Sequence, residues 1–321
     1  MRTVRQSCPH CGWTSSTKPP RQARQYLQTS ACPASSTAAK SGVVQMREHL
    51  FPRWGAALFA LLPLSEVLYA PATGQTVYAA ALAGLLCALA CAGAARLAPV
   101  WRRVRALQWI LAALALWPIA TSLARMGLFL QRTVFPTRPL WSLILLLTVC
   151  ALLCATAGLN RCAMWALPVA WLAGAVVVLS GVLTISQWQV AYWAAPDSTL
   201  LHETARLLMR LLPAALVLAL SLPEGLSAAA ARGLSAGSAL LALLALRTVL
   251  LLGAHTAALL PYPNFSAAGL AAVGDFARHG EVFFAVPLLL CELGRCAALA
   301  CVLLLPVSRS YGVLRLPRRA K

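Results

Sequence analysis

The sequence predicts an all-α polytopic membrane protein, and three observations carry that prediction. Of its 321 residues 60% are hydrophobic and only 11% charged, more apolar surface than a soluble domain of that length can hide. The apolar residues come in runs of about 18 or more, the length that crosses a ~30 Å hydrocarbon core at about 1.5 Å per residue. No stretch alternates apolar and polar residues as barrel strands do.

Residues 1–45 stand apart in composition, rich in Ser, Thr, Arg, Gln and Pro. They carry Cys8-Pro9-His10-Cys11, a C-x-x-C pair of the kind that forms half a zinc site or exchanges thiols. Thiol exchange needs a strand–helix platform, which nothing around the pair supplies. Structural zinc needs four ligands, and only Cys32 with His10 or His49 remain, at irregular spacing. The tail is expected to be disordered and to hold no metal. Met46, immediately before the membrane region, is an alternative start.

Residues 46–308 form the membrane domain, with eight candidate spans. They are Trp54–Pro71, Gln75–Arg96, Ala106–Leu130, Leu140–Leu159, Ala163–Gln187, His202–Leu222, Leu234–Leu260 and Glu281–Pro306. The first holds Glu66 in "LLPLSEVLYAP", between Pro63 and Pro71, where proline is expected to open the helix. The third and fourth are joined by "RTVFPTRPL", a turn stiffened by Pro136 and Pro139. The sixth carries His202, Arg206 and Arg210 along one stripe, which Pro213 is expected to interrupt. Arg247 in the seventh span, and Glu292 with Arg295 in the eighth, are expected to be buried or snorkelling partners. Residues 309–321 are a basic tail.

The formal net charge is +19, and the basic residues lie mainly in connections and tails. Arg96, Arg102, Arg103 and Arg105 follow the second span, Arg161 the fourth, Arg232 the sixth and Arg309 to Lys321 the eighth. The positive-inside bias then puts both termini in the cytoplasm and the Thr133–Pro139 turn outside. Topology accounts for the charge, so no nucleic-acid partner is expected. The sequence has no Gly-x-Ser-x-Gly, His-Glu-x-x-His or phosphate-cradling glycine loop, so neither an enzyme nor a cofactor is expected.

A charge inside a bilayer is costly and is a functional candidate for that reason. Opened helices persist in membranes where they line a cavity, and transporters place ligands at such breaks. The expected site therefore joins Pro63, Ser65 and Glu66 of span one to Arg210 and Pro213 of span six. A small amine-bearing ligand, amino acid-like, would meet the opened backbone there, with Glu66 facing its ammonium.

Four segments, in order, carry a family resemblance. Pro136, Thr137 and Pro139, with Arg138 inserted, match a Pro–Thr–Pro turn before the fourth span. Gly158 and Arg161 of "AGLNR" match a segment after it. Leu64–Gly84 looks like a broken first helix followed by a Gly-Gln entry to the second. Leu250–Phe284 looks like a seventh helix, a Tyr-Pro linker and an amphipathic segment before the eighth. Together they resemble the permease-like B subunits of endospore germination receptors, in the amino acid/polyamine/organocation superfamily. The resemblance implies a leucine-transporter-like bundle of inverted five-helix repeats, with the first and sixth helices broken. It also implies sensing of a small germinant at the spore inner membrane, beside an A-type subunit and a lipoprotein C-type subunit. That family usually has ten spans, so the last two would be missing here. A secondary transporter of amino acids or related amines, and a truncated remnant without function, are the alternatives.

Overall fold

The computed structural model describes residues 52–193, 198–221, 227–270 and 280–310. The tail with its C-x-x-C pair, the Pro223-Glu224-Gly225 turn and the amphipathic segment before the last helix lie outside them. The described residues form α-helices and no strand. In chain order these are α1 (Pro52–Glu66), α2 (Thr76–Arg103), α3 (Arg105–Thr133), α4 (Leu140–Thr156) and α5 (Leu159–Thr184). There follow α6 (Leu200–Ser221), α7 (Ser227–Leu252), the short α8 (Ala254–Leu259) and α9 (Pro263–Gly269), and α10 (Gly280–Ser310).

Among the described residues six helices, α2, α3, α5, α6, α7 and α10, are long and apolar enough to cross a membrane. The protein is an all-α polytopic membrane protein. The other two expected spans are shorter, α4 with 17 residues and α1 with 15. At about 1.5 Å per residue α1 reaches roughly 22 Å, less than the ~30 Å core.

The first span stops at Glu66 rather than Pro71 because the chain folds into a tight turn. The Glu66 carbonyl accepts from both Tyr69 N (3.0 Å) and Ala70 N (2.8 Å). The seventh span also stops early. Gly253 takes φ 76°, a conformation that suits glycine alone, and the chain restarts as α8. The sixth span is not interrupted where expected: α6 runs unbroken through Pro213. Proline there costs one helical hydrogen bond and sterically opens one turn, and packing against neighbouring helices absorbs both.

α1 lies at the centre, in contact with α5, α6, α7 and α10. α10 in turn packs on α3, α4 and α5, and α2 closes the other side against α6 and α7. The seat of α1 on α7 requires glycine: a Cβ on Gly233 would run into the Ala56 carbonyl oxygen. The outward faces are apolar, as a surface in contact with lipid must be. Leu145, Leu146, Val149, Leu152 and Leu153 of α4 and Trp165 and Trp171 of α5 are all exposed.

The connections that flank α4 are stiff. Val134 N and Phe135 N both donate to the Leu130 carbonyl (2.9 and 2.8 Å), and Gln131 Nε2 caps the Arg138 carbonyl at 3.2 Å. Gly158, between α4 and α5, sits at φ 89°, ψ 157°, where a side chain would clash with its own backbone.

Candidate functional site

The last turn of α1 carries a carboxylate where the helix macrodipole is negative, an unfavourable place for it. Cations from three other helices gather there. Glu66 is fully buried. Arg125 of α3 grips it bidentately, Nη1 donating to Oε2 (2.6 Å) and Nη2 to Oε1 (2.9 Å). Arg295 of α10 donates from Nη1 to Glu66 Oε1 (2.8 Å) and to Ser65 Oγ (3.0 Å), and from Nη2 to the Arg210 carbonyl (3.1 Å). That carbonyl lies one residue from Met209, whose own carbonyl loses its helical donor at Pro213. Arg210 of α6 places Nη1 3.7 Å from Glu66 Oε2, with no hydrogen bond.

A second carboxylate, Glu292 of α10, is fully buried one turn from Arg295. It lies 3.7 Å from Arg125 Nη2, and neither of its oxygens is hydrogen-bonded. Three guanidinium groups thus face two carboxylates. The cluster keeps an excess of positive charge and unused hydrogen-bonding capacity on both signs.

One side of the cluster is aromatic. The Arg125 guanidinium lies over the Tyr69 ring, 5.1 Å from its centroid. Tyr69 meets Phe129 edge-on at 6.3 Å, and Phe129 meets Tyr262 at 5.0 Å and Phe265 at 5.3 Å. The Tyr69 hydroxyl is buried without a partner. Burial pushes the Tyr262 phenol above its ordinary value, opposed by the positive charge of Arg132.

A further polar layer holds α9 against the opened end of α1. Val67 is the first residue past the helix, and its carbonyl accepts from Asn264 Nδ2. Thr248 Oγ1 of α7 donates to Asn264 Oδ1 at 2.7 Å. Beside it Arg247 donates from Nε to Thr184 Oγ1 (3.1 Å) and from Nη2 to the Ala267 carbonyl (3.0 Å).

Of the residues singled out from the sequence, Ser65, Glu66 and Arg210 come together. Pro63 is buried one turn earlier and packs toward Gly237 of α7, contributing no polar group to the cluster. Pro213 lies about one turn beyond Arg210 within continuous helix. Arg206 is turned outward and pairs with Glu203 at 4.0 Å. Glu292, Arg295 and Arg247 are buried, as expected, and Glu292 and Arg295 belong to the cluster itself. Sequence reasoning missed Arg125, although a lone arginine inside an apolar span is the signal that marked Glu66. It also missed Tyr69 and Asn264, whose roles arise only from packing.

No protein-family model matches the chain, and no curated protein sequence matches it.

Proposed function

We propose that the chain is a membrane-embedded sensor of a small nutrient: the permease-like subunit of a spore germinant receptor, working beside A-type and lipoprotein C-type subunits. The resemblance in the sequence supplies the family. The observation that carries the ligand-binding reading is the cluster at the opened end of α1, where buried Glu66, Glu292 and Arg295 meet half-buried Arg125 and Arg210. Buried charge of this kind is expensive in a bilayer, and a role in ligand binding accounts for its cost.

The cluster also favours one orientation for an amino acid. Glu66 is already bound by two arginines, so it has little capacity for an ammonium. Arg210 Nη1 has no hydrogen-bond partner and is suited to a carboxylate. Glu292, whose oxygens are unbonded, is suited to the ammonium. The aromatic side would cover the ligand's apolar part. In this reading Glu66 positions the arginines, and Arg210 and Glu292 touch the ligand.

A transporter built on the same cluster is the second reading, since Arg125 already bridges two carboxylates and could exchange between them. Reconstitution distinguishes the two. Purified protein in lipid nanodiscs should show a saturable thermal shift with one or a few amino acids, lost in Arg210→Gln. In proteoliposomes the same radiolabelled amino acid should not accumulate. Accumulation would favour transport, and the absence of any amino acid shift would reject both readings.

A further inference from the structure

A second buried arginine lies outside that cluster, and its charge is not answered. Arg247 is 1% exposed, at the meeting of α5, α7, α9 and α10. Its Nε and Nη2 are satisfied by a hydroxyl and a carbonyl, which neutralise no formal charge. Nη1 is buried with no hydrogen-bond partner. No carboxylate lies within ion-pair distance of Arg247 among the described residues. Its remaining notable neighbour is Phe284, whose ring centroid is 5.9 Å from the guanidinium carbon.

The nearby polar groups cannot supply the missing charge. Thr184 Oγ1 already accepts from Trp188 Nε1 (3.3 Å) and donates to the Ser180 carbonyl (2.8 Å). Thr248 and Asn264 are committed to each other and to the Val67 carbonyl. A buried cation is tolerated when a counter-charge compensates it, and here the described residues offer only dipoles.

We propose that Arg247 Nη1 binds a small monovalent anion, either a halide or the carboxylate of a small organic acid, in a site separate from the Glu66 cluster. Arg247 also bonds to α9, and Thr248 next to it bonds to Asn264. An anion there would strengthen the hold of α9 over the opened end of α1. The site stands on its own observation and survives if the nutrient reading fails.

The test is the thermal stability of the purified protein in nanodiscs at constant ionic strength, titrating chloride, bromide or formate against gluconate, a bulky anion that serves as the reference. A saturable rise in Tm with halides alone identifies an inorganic ion, and a rise with formate also identifies a carboxylate-accepting site. Either response should persist in Arg210→Gln and vanish in Arg247→Met. Binding of radioactive chloride or formate to the unmodified protein gives a second readout should Arg247→Met express poorly. Equal stability in all four salts without radioligand binding, or an anion response unchanged in Arg247→Met, would overturn the proposal.

Discussion

Arg295 and Arg247 are equally buried, each about 1% exposed, yet they are held in different ways. Arg295 meets a carboxylate at 2.8 Å and also donates to a hydroxyl and a carbonyl, while its Nε is buried without an acceptor. Arg247 meets a hydroxyl and a carbonyl alone. The first arrangement sets formal charge against formal charge, so losing one member strands the others. The second answers the cation with neutral acceptors only, so losing it strands only neutral groups. Equal burial therefore does not imply equal sensitivity to mutation.

That contrast can be broken most forcefully at Glu66. Glu66→Leu should destabilise the protein by about 3–5 kcal/mol, since it leaves three guanidinium groups facing Glu292 alone. Thermal denaturation of the solubilised protein, or the yield of folded protein, measures it. Glu66→Gln keeps the shape but not the charge and should also lose stability; wild-type stability in that variant would show that the carboxylate acts only as a hydrogen-bond acceptor. Next in size is Asn264→Ala, which strands the Val67 carbonyl and the Thr248 hydroxyl and should cost about 1–3 kcal/mol. Limited proteolysis between α8 and α10 should accelerate in the same variant. Thr184→Val removes a neutral acceptor from Arg247 Nε and should cost about 1–2 kcal/mol, read from the same melting curves. The smallest effect sharpens the comparison: in halide-free buffer Arg247→Met should change stability by less than about 1 kcal/mol, because relief of an unpaired buried charge offsets the stranding of the Thr184 hydroxyl and the Ala267 carbonyl. A loss there as large as that of Arg295→Met would remove the distinction.

The same contrast explains what could be read from the chain. Glu66 was recognisable because a carboxylate inside an apolar run has few explanations, and Arg210 because it lies on a polar stripe of its helix. Arg125 was equally visible and was passed over. That Arg125 and Arg295 both reach Glu66 could not be read, since sequence separations of 59 and 229 residues are bridged only by the packing of the bundle. The helical class followed directly from the apolar runs. The helix ends did not. Pro63 and Pro213 each looked like a break, yet both lie inside helix, while the actual breaks fall at Glu66 and Gly253. Proline marks a lost donor, and whether the helix yields depends on what the neighbouring helices support. Gly158 stood out only as part of the segment after the fourth span; that it takes a positive φ, where few other residues can stand, is known from the structure alone.

The distance along the chain between Glu66 and its partners also bears on biogenesis. At about 5–20 residues per second of synthesis, Glu66 waits roughly 3–12 s for Arg125 to emerge and 11–46 s for Arg295. Through that interval α1 is a short segment ending in a carboxylate, poorly suited to leave the insertion channel alone. Arg125 would let it depart as a neutral pair with α3, and Arg295 would lock it at the centre once α10 arrives. Ribosome-bound chains stopped before residue 125 should cross-link α1 to the channel, and chains carried beyond α3 should release it. Release at the shorter length would mean that α1 enters the bilayer without its counter-charge.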